Sequence, residues 1–287
     1  MLGLSISGGG ALGIGPAYYL SLAEADGIEW QSKTTFYAGT STGSILASAL
    51  ATSDFSGDEV YDLYLHNLDK VFAKYSFLKR LFNRRLPKYD NTYLSYLLDS
   101  IFGNTTLNQL HNKLYIPSFI SDRDNAEKIF DNEDTTLIKY AVASSCSAPT
   151  YFTPYGQRKN MCDGGLFAND PVAVLACGMK YEQVQNPKII SFVTSCSVPD
   201  NLDCRGDRSL LEWGYFLINN IVARTGNYNY HLARQLIGGE NILRLSPIIT
   251  ERRQMDDVSD SNIKDVLFTW ENYYKDTKAL FKAFVED

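Results

Sequence analysis

The feature that most constrains this chain is a Gly-x-Ser-x-Gly motif between an apolar run and a run of small, helix-forming residues. The motif is Gly39-Thr40-Ser41-Thr42-Gly43, with residues 36–38 before it and residues 45–51 after it. Glycine at both ends permits a sharp turn from a strand into a helix, because larger side chains would collide there. Such a turn presents a serine hydroxyl at a helix N-terminus, where negative charge is favoured. The sequence therefore predicts a strand–turn–helix with Ser41 as a nucleophile.

Composition narrows the class of protein. Of the 287 residues, 45% are hydrophobic and 21% are charged, which is ordinary for a soluble globular protein. A net charge of −6 argues against a nucleic-acid partner. No apolar run approaches the roughly 18–20 residues of a membrane span, and no basic n-region of a signal peptide begins the chain. The five cysteines lack C-x-x-C spacing, which indicates reduced thiols and a cytoplasmic location.

No metal or organic cofactor is expected. No group of histidine, cysteine and acidic residues has the spacing of a metal site. The acidic turn at residues 122–125 lacks the rest of an EF-hand loop, so a plain turn is favoured over a calcium site.

A glycine-rich loop follows the first predicted strand, residues 2–7. It reads Gly8-Gly9-Gly10-Ala11-Leu12-Gly13. One interpretation is a dinucleotide-binding fingerprint, but the second strand, residues 34–38, ends without the acidic residue that this motif requires. Another is a loop of bare backbone N–H groups that face an oxyanion. The serine motif on the next strand favours the oxyanion loop, and a plain glycine turn is the remaining alternative.

Predicted strands and helices alternate along the chain, which indicates an α/β fold with a central, mostly parallel sheet flanked by helices. We find no repeat or linker and expect one domain over residues 1–287. Further strands are predicted at residues 114–121, 126–131, 188–193 and 241–245. Helices are predicted at 17–25, 54–73, 89–102, 106–113, 136–146, from the Asp170-Pro171 start to 181, at 208–237 with a break near 226, and at 263–284.

Residues 70–88 form a basic segment in an acidic protein. They contain seven lysines and arginines and no acidic residue, and their apolar residues fall on one helical stripe. The pattern fits a peripheral contact with an anionic membrane, and it fits equally a solvated basic face over a packed apolar one. The cations are Lys70, Lys74, Lys79, Arg80, Arg84, Arg85 and Lys88.

Together, the glycine-rich loop, the serine motif and a later Asp163-Gly164-Gly165 resemble the patatin-like phospholipase family. Residues 147–154 and 166–171 also look like that family. The resemblance covers roughly residues 2–181, and residues 182–287 are expected to complete the fold. It implies a three-layer fold and a Ser–Asp dyad, with Ser41 as the nucleophile and Asp163 as the general base. It also implies hydrolysis of acyl esters in membrane glycerolipids through an acyl-serine intermediate.

The resemblance places Gly8, Gly9 and Gly10 in the oxyanion loop. The N–H group of Thr42, the residue after the nucleophile, would complete the set of donors. Burial of Asp163 beside the nucleophile should raise its pKa and make it a better proton acceptor. Structural roles in the turns are expected for Gly39, Gly43, Gly164 and Gly165.

Two alternatives remain open. The family usually has a basic residue at the position of Ala11 or Leu12, and its absence motivates a catalytically weak or inactive lipid- or partner-binding module on the same fold. A conventional triad would need a histidine, and the chain order Ser41, Asp163, His231 permits one. Head group, acyl position and oligomeric state are not indicated by the sequence.

Overall fold

The computed structural model describes residues 1–75, 83, 86–194, 196–197, 209, 212–213, 225–249 and 254–287. Within these ranges the strands are β1 (Leu2–Ile6), β2 (Thr34–Gly39), β3 (Lys113–Ile120), β4 (Glu127–Phe130), β5 (Met161–Asp163), β6 (Lys188–Phe192), β7 (Cys196–Ser197), β8 (Ile242–Leu245) and β9 (Ile248–Ile249).

Helices occupy most of the remaining described chain. They are α1 (Ile14–Ala25), α2 (Trp30–Lys33), α3 (Thr42–Ala51), α4 (Gly57–Leu65), α5 (Leu68–Val71), α6 (Thr92–Phe102), α7 (Ile138–Ser145), α8 (Gly165–Ala168), α9 (Val172–Tyr181), α10 (Thr225–Ile237) and α11 (Asp260–Glu286). Short 3-10 turns lie at Gly10–Gly13, Leu107–Gln109 and Gly239–Asn241.

The main sheet has the strand order β4-β3-β2-β1-β6-β8, with β5 paired to β3 beside this path. The pairs β1–β2, β1–β6, β2–β3 and β6–β8 are parallel, and β4 and β5 run antiparallel to β3. The carboxyl ends of the parallel strands therefore share one edge, where α/β proteins place their ligands.

Helices cover both faces of the sheet, which confirms the predicted three-layer α/β fold. Side chains alternate along β2: Tyr37 joins the core cluster under α1 and α3, whereas Phe36 and Ala38 join the cluster under α9 and α10. This period of two is what a strand buried on both faces requires.

The C-terminal third packs into the same structure, although it carries no recognised motif. Its strands β6 and β8 extend the sheet on one side of β1. Its last helix, α11, lies against α1, where Trp270 packs so closely on Gly15 that an added Cβ would lie 2.0 Å from the indole nitrogen. The Tyr19 ring contacts Trp270, Tyr274 and Phe281 edge-on in this interface.

Two predicted helices are wrong in detail. Residues 54–73 form α4 and α5 rather than one helix, and the side-chain amide of Asn67 between them donates to the Leu63 carbonyl at 2.7 Å. Such side-chain bonds compete with the helical ladder. Residues 106–113 form only a 3-10 turn before Lys113 enters β3. Helix α10 begins at Thr225, so Gly226 lies within its first turn.

Several predicted segments lie outside the described residues. They include residues 76–82 and 84–85 of the basic segment and most of residues 208–224. Among the described residues, no helix has both the length and the apolar character needed to cross a bilayer.

Candidate active site

Ser41 lies on a sharp turn between β2 and α3. Its backbone has φ 53° and ψ −125°, a conformation that residues other than glycine rarely adopt. A Cβ atom added to Gly39 would lie 2.1 Å from the Gly43 carbonyl oxygen, and one added to Gly43 would lie 2.1 Å from the Ile6 carbonyl oxygen. Both motif glycines are thus required by close backbone approach, and the turn has the geometry of a nucleophile elbow.

Asp163 lies against this turn. It ends β5, which pairs with β3 so that Asp163 stands opposite Ser118. The side chain is buried, with 6% of the residue exposed. Its carboxylate accepts a hydrogen bond from the Gly165 N–H at 2.7 Å, and the nearby Ser41 hydroxyl lowers the carboxyl pKa. The Ser41 hydroxyl and the Asp163 carboxylate, more than a hundred positions apart in the sequence, therefore lie close together in the structure.

Burial raises the pKa of Asp163 to about 6, while the hydrogen bonds from Ser41 and Gly165 act in the opposite direction. A carboxyl group with this pKa is mostly ionised at neutral pH and is a stronger base than an exposed aspartate. The electrostatic environment thus suits Asp163 to accept the proton of the Ser41 hydroxyl.

The glycine-rich loop runs directly past Ser41. A Cβ atom added to Gly8 would lie 3.2 Å from Ser41 Cβ. The Gly8 N–H is already engaged, since it donates to the Asn169 carbonyl at 2.9 Å. For the N–H groups of Gly9, Gly10 and Thr42, the described parts of the chain provide no acceptor. These three groups are therefore available to stabilise an oxyanion, whereas Gly8 contributes to the shape of the loop.

Thr194 supports the loop from the end of β6. Its hydroxyl donates to the Gly8 carbonyl at 2.6 Å, and its own N–H donates to the Ser7 hydroxyl at 2.9 Å. A Cβ atom on Gly9 would lie 2.2 Å from the Thr194 hydroxyl oxygen. Residue 194 has no sequence motif around it, so sequence reasoning missed this contact.

Met255 covers the other side of the loop. Its carbonyl accepts the Ala11 N–H at 2.7 Å, and a Cβ atom on Gly10, which has φ 58°, would lie 2.1 Å from it. Leu12, one of the two positions where the family usually has a basic residue, is only 2% exposed and belongs to the hydrophobic core. The loop is therefore packed by apolar side chains and backbone.

A buried ion pair stabilises the segment that follows Asp163. Asp170 Oδ2 lies 3.0 Å from Arg244 Nη1 of β8, and its Oδ1 accepts the Val172 N–H at the start of α9. Burial raises the pKa of Asp170 to about 6, although the Arg244 cation lowers it. The Tyr230 ring lies 4.4 Å from Arg244 Cζ. Arg244 has no motif around it in the sequence. It pairs with Asp170, the residue after Asn169, whose carbonyl accepts the Gly8 N–H.

The histidine alternative has no support in the structure. His66, His111 and His231 are all exposed. His231 lies on α10, and no hydrogen bond joins it to Ser41 or Asp163 within the described residues. The carboxylate of Asp163 is engaged by Ser41 and Gly165 instead.

A three-layer α/β fold with a serine on a strained strand–helix turn beside a buried aspartate defines a class of α/β proteins. Within that class, this chain belongs to the patatin-like phospholipase family, whose sequence pattern matches residues 4–176.

Curated relatives agree with this assignment. Patatin-like protein 2 of Arabidopsis thaliana is 33% identical over 61% of this chain and 51% of its own length. Patatin-like protein 1 of the same plant is 27% identical over 64% of this chain and 52% of its own length. Probable inactive patatin-3-Kuras 1 of Solanum tuberosum is 28% identical, over 58% and 52% respectively. The chain spans about half the length of these relatives.

A solved structure is similar in fold. The crystal structure of VipD from Legionella pneumophila superposes with a TM-score of 0.51 and 13% sequence identity, covering 96% of this chain and 66% of that chain. At this identity the similarity concerns the fold alone.

Proposed function

We propose that this protein is a serine acyl hydrolase of the phospholipase A type, which cleaves acyl esters of membrane glycerolipids. The observation that carries the proposal is the strained elbow that holds the Ser41 side chain beside the buried Asp163 carboxylate, whose pKa the serine hydroxyl lowers. Family membership supports an acyl-lipid substrate.

In the proposed reaction, Asp163 accepts the hydroxyl proton while Ser41 Oγ attacks the ester carbonyl. The negative oxygen of the tetrahedral intermediate faces the N–H groups of Gly9, Gly10 and Thr42. The intermediate collapses, the C–O bond to the alcohol breaks, and the alcohol leaves with the proton from Asp163. Asp163 then takes a proton from water while the water oxygen attacks the acyl-serine. The bond from the acyl carbon to Ser41 Oγ breaks, Asp163 returns the proton to Ser41 Oγ, and the fatty acid is released.

Action at a membrane surface on the cytoplasmic side forms part of the proposal, with residues 70–88 as the contact. The described ends of this segment place lysines over tyrosine rings: Lys70 Nζ lies 5.7 Å from the Tyr93 centroid, and Lys88 Nζ lies 5.5 Å from the Tyr151 centroid. Tyrosine and lysine are residues that favour the interface between water and lipid.

A second candidate function is a lipid- or partner-binding module with little or no turnover. Two observations favour it: the buried Leu12 stands where the family usually has a cation, and the Met255 carbonyl lies against Gly10. One relative also bears the name of a probable inactive patatin.

Labelling with a fluorophosphonate probe tests both candidates. We expect the wild type to be labelled, Ser41→Ala to lose labelling, Asp163→Asn to be labelled far more slowly, and His231→Ala to match the wild type. Folded wild-type protein that binds lipid vesicles without being labelled would support the binding module and contradict the hydrolase.

A further inference from the structure

The peptide group of the nucleophile is held by hydrogen bonds on both sides. The Ser41 N–H donates to Ser145 Oγ at 3.0 Å. The Ser41 carbonyl accepts from the Ser44 N–H at 2.8 Å, the Ser44 hydroxyl at 2.6 Å and the Cys146 thiol at 3.2 Å. Because Ser41 has neither helical nor extended backbone angles, regular secondary structure supplies no partner for its N–H.

These partners differ in how well they can be replaced. The carbonyl has three donors, so it keeps two when the Cys146 thiol is removed. For the N–H, Ser145 is the one acceptor among the described residues. This bond is partly buried, and a backbone donor that is shielded from water and left without a partner is unfavourable by more than the net value of an ordinary hydrogen bond. Loss of the Ser145 hydroxyl would therefore destabilise the backbone conformation of the nucleophile.

The same stretch of chain also contacts the base. The Asp163 N–H donates to the Ser147 carbonyl at 3.0 Å. The Ser144 hydroxyl bonds to the Ser118 hydroxyl, which itself donates to the Cys162 carbonyl of β5 at 3.0 Å. All the residues from 144 to 147 are buried. The C-terminal end of α7 thus contacts the elbow through Ser145 and Cys146. It contacts β5 through Ser147 directly and through Ser144 by way of Ser118.

We infer that this end of α7, which we call the α7 clamp (Ser144, Ser145 and Ser147), sets the position of Ser41 relative to Asp163. Ser145 is the positioning residue of the clamp: it touches neither the reacting hydroxyl nor the carboxylate, and acts through the Ser41 peptide. The inference rests on the proposed function, since it concerns the same dyad.

The test compares Ser145→Ala with a matched control, Ser48→Ala. Ser48 is a fully buried serine on α3, and its hydroxyl has no hydrogen-bond partner among the described residues. The control therefore removes a buried hydroxyl without leaving a donor unpaired. Cys146→Ala is a second control outside the clamp, because the Ser41 carbonyl keeps both Ser44 donors when the thiol is removed. Because Ser145→Ala could fail to fold, Ser145→Thr and Ser145→Val, which match in shape and differ in the hydroxyl, provide a second pair.

Two measurements are made on each variant, together with its melting temperature. The first is the rate of fluorophosphonate labelling at Ser41, and the second is the hydrogen-exchange rate of the Ser41 amide. We expect Ser145→Ala to be labelled about tenfold or more slowly and to exchange this amide at least tenfold faster. Ser48→Ala and Cys146→Ala should stay within about threefold of the wild type in both measurements, and Ser145→Thr should be labelled at least tenfold faster than Ser145→Val.

Wild-type labelling and exchange rates in Ser145→Ala, or equal losses in Ser48→Ala, would overturn the inference. The two measurements also separate it from the proposed function. If the wild type is not labelled, the hydrolase proposal fails, and the exchange rate of the Ser41 amide alone tests the clamp. Faster exchange confined to Ser145→Ala and Ser145→Val supports the clamp, and unchanged exchange in these variants refutes it.

Discussion

The buried carboxyl group of Asp163 gives the proposed reaction a specific dependence on pH. Burial raises its pKa from 3.8 to about 6, and the dyad can accept a proton only when Asp163 is ionised. Activity should therefore be high at pH 8 and fall as the pH is lowered, with a midpoint near 6.

The size of the effect follows from this pKa. With a value of about 6, the ionised fraction is about 99% at pH 8 and about 10% at pH 5, so the rate should fall about tenfold. An exposed aspartate with an ordinary pKa would still be about 90% ionised at pH 5, and the rate would hardly change. The profile thus distinguishes a buried base from an exposed one.

The assay is the initial rate of fluorophosphonate labelling between pH 5 and 8, with circular dichroism to show that the protein stays folded. His231→Ala is the control, because a histidine base would titrate in the same range. We expect the variant and the wild type to give the same profile. A rate that stays constant down to pH 5, or a profile that disappears in His231→Ala, would refute the assignment of Asp163 as the base.

Three further predictions concern stability and membrane binding. Because the pKa of Asp163 is raised on folding, its ionised form destabilises the protein above pH 6 by up to about 3 kcal/mol. Asp163→Asn should therefore lose activity yet melt at a higher temperature at pH 8, with the difference shrinking as the pH falls from about 6 towards the ordinary pKa of 3.8; a lower melting temperature at pH 8 would contradict this. Arg244→Met should lower the free energy of unfolding in urea by about 3–5 kcal/mol by leaving Asp170 unpaired, and adding Asp170→Asn should restore part of the loss; an additive double variant would argue against the pair. Binding to anionic vesicles should weaken with salt and with charge reversal at Arg80, Arg84 and Arg85, and unchanged sedimentation with vesicles would remove residues 70–88 as the contact.

The elbow could be predicted because its requirements are local. Gly39 and Gly43 lie within two residues of Ser41, and the clash that excludes a larger side chain at Gly39 involves the backbone of Gly43. The pairing of Ser41 with Asp163 is not local, and the expectation came from the resemblance to a family. The structure supplies its physical basis, since β5 pairs with β3 beside the strand that carries the elbow.

The supports of the site could not be predicted. Each support is a contact between residues that are far apart in the sequence, and no spacing pattern predicts such a contact. The supporting residues are Ser145, which bonds to Ser41, Arg244, which pairs with Asp170, and Met255, which bonds to Ala11. The break between α4 and α5 was missed for a different reason. The apolar periodicity of residues 54–73 continues through it, whereas the bond from Asn67 to Leu63 depends on one side-chain rotamer.

The central position of β1 has a consequence for biosynthesis. One of its neighbours, β2, emerges soon after it, but the other, β6, is translated roughly 150 residues after β2 ends. At about 5–20 residues per second, the nascent chain carries an unpaired, apolar β1 edge for about 10–30 s. Such an edge is a template for pairing with other chains, so ribosome-bound intermediates of this protein should depend on chaperones that shield strands. Codon changes that slow translation between β2 and β6 should lower the yield of native protein far more than equal delays after β8.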